Sequence, residues 1–143
     1  FNPKGIRISQ VKNWSNDLCP AIKATENGQT YICSSAHMNM TAMAKASQAP
    51  VIEECDAGFV KLVVPIIYED EFIGVAGGCG LLAEDGDADT FAVNKIAGID
   101  EATAEKLAQE LPVITHDELA AANAYLQEQV SLILADYKKK KSL

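Results

Sequence analysis

The strongest constraint on this chain is a pair of apolar runs, Phe59–Tyr68 and Phe72–Gly78, separated by the acidic triplet Glu69-Asp70-Glu71. Val and Ile dominate both runs. Each is too short, and the acidic break too abrupt, for a buried helical hairpin, so the pattern predicts a β-hairpin of central strands. Upstream, Ile6–Val11 alternates apolar and polar residues and predicts a short strand. Asn16 or Asp17 is placed to cap a helix carrying Cys19. Asn27-Gly28 signals a turn, and Gln29–Cys33 reads as another short strand. From Ser34 or Ser35 as N-cap, the Met- and Ala-rich stretch His37–Ser47 favours helix until Pro50 imposes extended backbone on the residue before it. Val51–Glu54 follows as a strand, and Asp56-Ala57-Gly58 as a tight turn in which Gly58 takes a left-handed conformation.

Beyond the hairpin, Ala83–Asp89 is acidic and Gly-bearing and reads as a surface loop. Asp100 caps a helix over Glu101–Glu110, which Pro112 prevents from continuing. Thr115 with Glu118 forms a capping box that starts a helix running to about Lys138. On it, Leu119, Ala122, Leu126, Val130, Ile133 and Tyr137 form one apolar stripe, suited either to packing on the sheet or to pairing with another chain. Lys138–Lys141 complements the negative helix end and reads as a solvated terminus. The whole order predicts an α+β fold: a central, largely antiparallel sheet with flanking helices. Residues 1–143 are expected to form one domain, with 113–143 as a C-terminal signalling or dimerisation helix.

Charge and length narrow the function. A chain of 143 residues buries roughly two-thirds of its unfolded surface and needs no cross-links to fold. Twelve Lys and Arg against twenty Asp and Glu give a net charge of −8, which would repel a phosphate backbone. No apolar run approaches the ~20 residues of a membrane-spanning helix. The expectation is a soluble, cytoplasmic domain that contacts neither nucleic acid nor membrane. A chain opening on Phe1 reads as a piece of a longer protein, whose output region would lie elsewhere.

Cys19, Cys33, Cys55 and Cys79 are separated by thirteen, twenty-one and twenty-three residues, spacings that match no short zinc or haem-attachment motif. Taken singly, each reads as a small buried hydrophobe. Three of them nevertheless sit at element ends, and the hairpin is expected to bring Cys79 towards Cys55. If all four converge, soft thiolates suit an iron-sulfur cluster or zinc. His37 is a candidate ligand or hydrogen-bond donor beside them, and a haem on Cys or His37 is less supported because the attachment motif is absent. Catalytic signatures are missing: Gly77-Gly78-Cys79-Gly80 lacks the Lys and Ser/Thr of a phosphate loop, and no Ser-His-Asp order is present. The chain is expected not to be an enzyme.

Several of these segments together resemble a known family. Glu54-Cys55-Asp56-Ala57-Gly58-Phe59, Val64-Pro65-Ile66-Ile67 and Phe72-Ile73-Gly74 with Gly77-Gly78 are similar to the core of PocR-type sensory domains. Leu18-Cys19 and Cys33 lie where that family carries upstream cysteines, and Ala97-Gly98-Ile99-Asp100 with Leu111-Pro112-Val113-Ile114 resembles its C-terminal pattern, so the likeness runs from about Val11 to Tyr137. The resemblance implies a PAS- or GAF-like sensor from a bacterial or archaeal histidine kinase or transcriptional regulator, in a family whose namesake is associated with small diols. One departure stands out: Cys79 occupies the place of a usual Gln after the Gly-Gly pair, so the ligand does not carry over. The reading is a small-molecule sensor whose pocket wall includes Cys55, Phe59, Tyr31, Met38 and His37. The alternative is a redox or metal sensor in which Cys19, Cys33, Cys55 and Cys79 bind an iron-sulfur cluster or another metal. A homodimer through the C-terminal helix is the expected assembly.

Overall fold

A computed structural model of the chain describes residues 1–10 and 13–143. Its centre is the predicted hairpin. Strand β2 (Val60–Tyr68) turns through Glu69 and Asp70, both with positive φ, into β3 (Glu71–Ala83), the left-handed two-residue turn that matches the twist of paired strands. β3 runs five residues beyond the apolar run read from sequence, because Cys79–Ala83 continues the ladder despite its glycines. β1 (Val51–Glu54) pairs antiparallel with the first half of β2, from Val51 opposite Val63 to Glu54 opposite Val60. Pro65 is tolerated in β2 because β1 has ended there and claims no N–H from it. The short β4 (Val113–Ile114) adds in parallel to β3 at Leu82 and Ala83. The sheet, in order β1-β2-β3-β4, is therefore mixed, and the α+β expectation is met with one parallel edge.

Helices α1 (Leu18–Lys23) and α2 (Ser35–Ser47) cover one face. Asn16 caps α1, its Oδ1 accepting from the Cys19 N–H at 2.7 Å, while the Asp17 side chain makes no cap bond. Between them the expected strand Gln29–Cys33 is instead a π-helical turn, Gly28–Ser34, that runs directly into α2. Thr25 starts it by accepting the Gly28 N–H through its hydroxyl, and Ile32 anchors it in the core. Because helix precedes α2, Ser34 has no open N–H to cap, and its side chain makes no such bond. The strand expected over Ile6–Val11 is likewise not formed across residues 6–10, and Val11 lies outside the described residues. Phe1 pairs with the sheet instead, exchanging backbone bonds with Val75.

On the C-terminal side, α3 (Thr90–Ala97) is an addition to the sequence reading, capped by Asp89, whose Oδ1 accepts from the Ala92 N–H at 2.8 Å. Helix α4 (Glu101–Leu107) begins at Asp100 as expected but ends three residues earlier. The long α5 (His116–Lys141) starts at the predicted capping box, with Thr115 and Glu118 bonding reciprocally. Thr115→Ala should cost about 1 kcal/mol, measured by urea unfolding. Leu119, Ala122 and Leu126 of α5 face Val60 and Leu62 across the outer side of the sheet, and Tyr137 meets Tyr68 edge to face at 5.3 Å. Ile133 of the same predicted stripe stays exposed. No helix among the described residues is long and apolar enough to cross a membrane.

The inner side of the sheet carries two apolar clusters. Leu18, Ile22, Ile32, Ala57 and Phe59 belong to one, and Met40, Ala44, Val51, Val63 and Val75 form the other. Between Phe59 and Val63 on β2 stands Lys61, and this interruption of the core positions the site.

Candidate functional site

Four separate elements each deliver a cysteine to one place. Cys19 comes from α1, Cys33 from the π-helical turn, Cys55 from the turn after β1 and Cys79 from β3. All four line a single inner chamber of about 40 Å³, together with His37, Phe59 and Lys61. All four are free thiols. The chamber adjoins a cavity of about 360 Å³ that shares Cys19, Cys33, His37, Lys61 and Cys79 and adds Phe1, Arg7, Trp14 and Lys23. The exposed strand Gly77–Cys79 forms the mouth of this outer cavity.

A β-bulge sets the geometry at the mouth. Val60 pairs with Leu81 but Lys61 pairs with Cys79, so Gly80 is the extra residue. Gly80 has φ +107 and no room for a Cβ against Ser15. Its carbonyl accepts hydrogen bonds from Ser15 Oγ at 2.9 Å and Asn16 Nδ2 at 2.8 Å, which dock the start of α1 on the sheet. Asn16 Nδ2 also lies 3.2 Å from Cys19 Sγ. One side chain thus caps the helix, fixes it to the bulge and touches the sulfur.

Burial governs the protonation of this site. It pushes the Cys19 thiol up to about 12 against the lowering effect of Asn16, and the other three cysteines raise it further. Cys33 is also raised, chiefly by burial. Cys55 is raised by burial too, opposed by hydrogen bonds from the backbones of Phe59 and Ala57. His37 is held down to about 3 by burial and then by the positive charges of Lys61, Lys23 and Arg7. Its ring lies 4.3 Å from that of Phe1, and its Nδ1 is buried without a hydrogen-bond partner.

Lys61 is the least ordinary member. The residue is 1% exposed, its Nζ has no hydrogen-bond partner among the described residues, and the face of Phe1 at 4.7 Å is the cation's aromatic neighbour. Burial lowers its pKa, while the cysteines Cys79, Cys55 and Cys33 oppose that shift. The outer cavity around it carries Arg7, Lys23 and Lys61 and, among the described residues, no carboxylate, in a chain whose net charge is −8. Such a concentration of positive charge suits a bound anion.

Of the residues read from sequence as pocket wall, the structure brings together Cys55, Phe59 and His37. It places Tyr31 and Met38 outside, 60% and 53% exposed, because the π-helical turn and α2 direct Ile32 and Met40 inward instead. The four cysteines converge, yet among the described residues no three Cys, His, Asp or Glu side chains are close enough to hold a single metal ion. Sequence reasoning passed over Lys61, although a lone Lys inside the apolar run Phe59-Val60-Lys61-Leu62-Val63-Val64 was a visible signal. Arg7, Lys23 and Asn16 had no comparable mark.

Acid should unfold the domain partly through His37. The unfolded imidazole takes a proton near its ordinary 6.5 and the folded one only near 3, so stability is lost as pH falls below 6.5. Between pH 6.5 and about pH 4 this contributes roughly 2–3 kcal/mol of destabilisation. His37→Gln should flatten that part of the stability curve, read by urea unfolding at stepped pH.

The fold is thus an α+β domain with the chamber on one side of a mixed sheet and the long α5 packed on the other. A family model described as the sensory domain found in PocR matches residues 1–136, and the chain belongs to that family. It is a sensory domain. No curated protein and no solved structure matches it.

Proposed function

We propose that this sensory domain binds a small organic anion in the outer cavity and reports its presence through α5 to the output region of a bacterial or archaeal histidine kinase or transcriptional regulator in the cytoplasm. The observation that carries this reading is the cavity's lining: among the described residues three cations and no carboxylate, around about 360 Å³, within the range of small-molecule sites. Raised thiol pKa values favour binding over catalysis, because protonated, buried thiols are poor nucleophiles.

The route to α5 crosses one sheet. Lys61 lines the cavity and its neighbour Leu62 the groove under Leu119, Ala122 and Leu126, while Gly78 and Cys79 border both. A ligand signals only if it binds two conformers differently, and a shift of β2 against β3 would be felt directly by α5. Exposed Leu132 and Ile133 on the far half of α5 offer a surface for a second copy. Melting of the chain against a panel of small carboxylates and diols tests the reading: a carboxylate present at about a hundred times its Kd should add about 2.7 kcal/mol of stability. Lys23→Met and Lys61→Met, each removing one cation from the lining, should weaken that gain. Unchanged affinity in both variants, or a response to diols alone, would remove the placement.

A further inference from the structure

We infer that Lys61 captures its ligand covalently and reversibly, its Nζ forming an imine with the carbonyl of a small oxo acid whose carboxylate is held by the other cations of the outer cavity. The inference rests on the anion-binding reading of that cavity and names the class of anion. It starts from an amine without a partner. Lys61 is 1% exposed, its Nζ makes no hydrogen bond among the described residues, and it lines both the outer cavity and the inner chamber. A lysine kept for packing alone extends its head to water or pairs it with a carboxylate. Lys61 does neither, since no carboxylate among the described residues lines either space.

Only a neutral amine has the lone pair to attack a carbonyl, and an ordinary lysine at neutral pH is almost wholly ammonium. The surroundings of Lys61 favour the neutral form. Burial lowers its pKa, and Lys23 in the same cavity adds to that shift, against the opposing effect of Cys79, Cys55 and Cys33. A lysine desolvated in an apolar wall or set beside another cation is the usual imine-forming nucleophile. Because Nζ makes no hydrogen bond among the described residues, no such bond there has to break before it reacts. The neighbouring thiols Cys19, Cys33 and Cys55 are held protonated by burial, which leaves the amine as the stronger nucleophile.

The lining selects the rest of the ligand. A cavity of about 360 Å³ has room for a small oxo acid, and Arg7 and Lys23 share it with Lys61. A carboxylate is drawn to these cations, and a carbonyl on the same molecule is then held near the amine, where proximity replaces a bimolecular encounter. Simple ketones lack the anchor, and simple carboxylates lack the electrophile. The step balances with no co-reactant. The nitrogen lone pair forms the C–N bond as the carbonyl π pair moves to oxygen, both hydrogens of the neutral amine pass to that oxygen, and one water leaves as C=N forms. Water adds back when the ligand level falls, and the bond hydrolyses when the chain is denatured. Capture therefore reports occupancy without turnover.

The test is reductive trapping. The full chain is incubated near pH 7 with sodium cyanoborohydride and either pyruvate or levulinate, then read by intact mass and peptide mapping. At least one of the two should add its own mass less one oxygen atom, once per chain, at Lys61, with labelling about tenfold or more above that of an exposed lysine such as Lys138. Excess lactate, a carboxylate without the carbonyl, should suppress the adduct, and acetone, a carbonyl without the carboxylate, should label Lys61 several-fold more slowly. Lys23→Met keeps the amine and loses an anchor, so its labelling should also slow several-fold. Total incorporation into Lys61→Met should fall about tenfold. No adduct with either oxo acid, an adduct spread evenly over exposed lysines, or equal labelling by acetone would overturn the inference. A melting gain with lactate but no trapped adduct would overturn imine formation and leave anion binding standing, whereas loss of both would overturn both.

Discussion

Lys61→Met should make the empty domain more stable and the loaded one less so. In the empty protein Lys61 lies between two apolar clusters with its Nζ unbonded, so the fold carries the desolvation of a charge that nothing in the core fully satisfies. Met fills nearly the same volume without that charge. Replacing buried ionic groups by packed apolar ones of similar size gains about 1–4 kcal/mol, and the cation–π contact with Phe1 subtracts about 1 kcal/mol from that. The net gain of up to about 3 kcal/mol corresponds to a rise in Tm of up to several degrees. The same change removes the chamber's only cation among the described residues, so affinity for any anionic occupant should fall. A lower Tm for the empty variant would mean that the Lys61 ammonium stabilises the fold and would contradict this account. A residue that costs stability when the site is empty is the mark of a binding role rather than a structural one.

Phe59→Ala should be the most damaging single change in the chain, at about 3–5 kcal/mol. Phe59 is 1% exposed and the largest of the fully buried side chains. It joins the cluster of Leu18, Ile22 and Ile32 and also walls the inner chamber. Truncation would merge a new void with an existing one, and the bulged, hydrogen-bonded edge at Gly80 leaves little freedom for collapse. A urea midpoint lowered in proportion, with an unchanged slope, is the expected result. A loss below about 1 kcal/mol would show that the chamber wall relaxes readily, which is incompatible with a preformed site. Phe59→Leu keeps most of the packing and is therefore the variant suited to binding measurements.

Much of this architecture was legible in the residues because the signals were local. The hairpin announced itself through two apolar runs and an acidic turn, and α5 through Thr115 and Glu118. The failures were of two kinds. Gln29–Cys33 has the β-branched and aromatic residues of a strand, but a Thr25–Gly28 hydrogen bond and burial of Ile32 favour a π-helical turn. Tertiary packing overrode propensity there. Helix α3 is only eight residues long, too short for a periodic pattern to stand out, and its signal reduces to the cap at Asp89 and the left-handed Gly98. β4, two residues long, exists only because β3 offers it an edge.

The site divides in the same way. Cys55, Phe59 and His37 were readable because they flank a glycine turn and a helix start. The convergence of all four cysteines was a conditional in sequence, since their spacings are irregular, and only the docking of α1 on the Gly80 bulge brings Cys19 across to Cys79. Tyr31 and Met38 were placed on the wall by assuming that a strand and its following helix face inward; the π-helical turn rotates both outward. Lys61 broke the apolar run that should have been its background. It is the residue that most changes what the pocket is for.

Native mass spectrometry of the full chain with the small carboxylate that most raises its melting temperature tests the central claim that the outer cavity is a binding site. The wild-type chain should carry a non-covalent mass excess that disappears on denaturation and is diminished in Lys61→Met and Lys23→Met. The bare polypeptide mass in the wild type, or an excess retained equally by both variants, would contradict it.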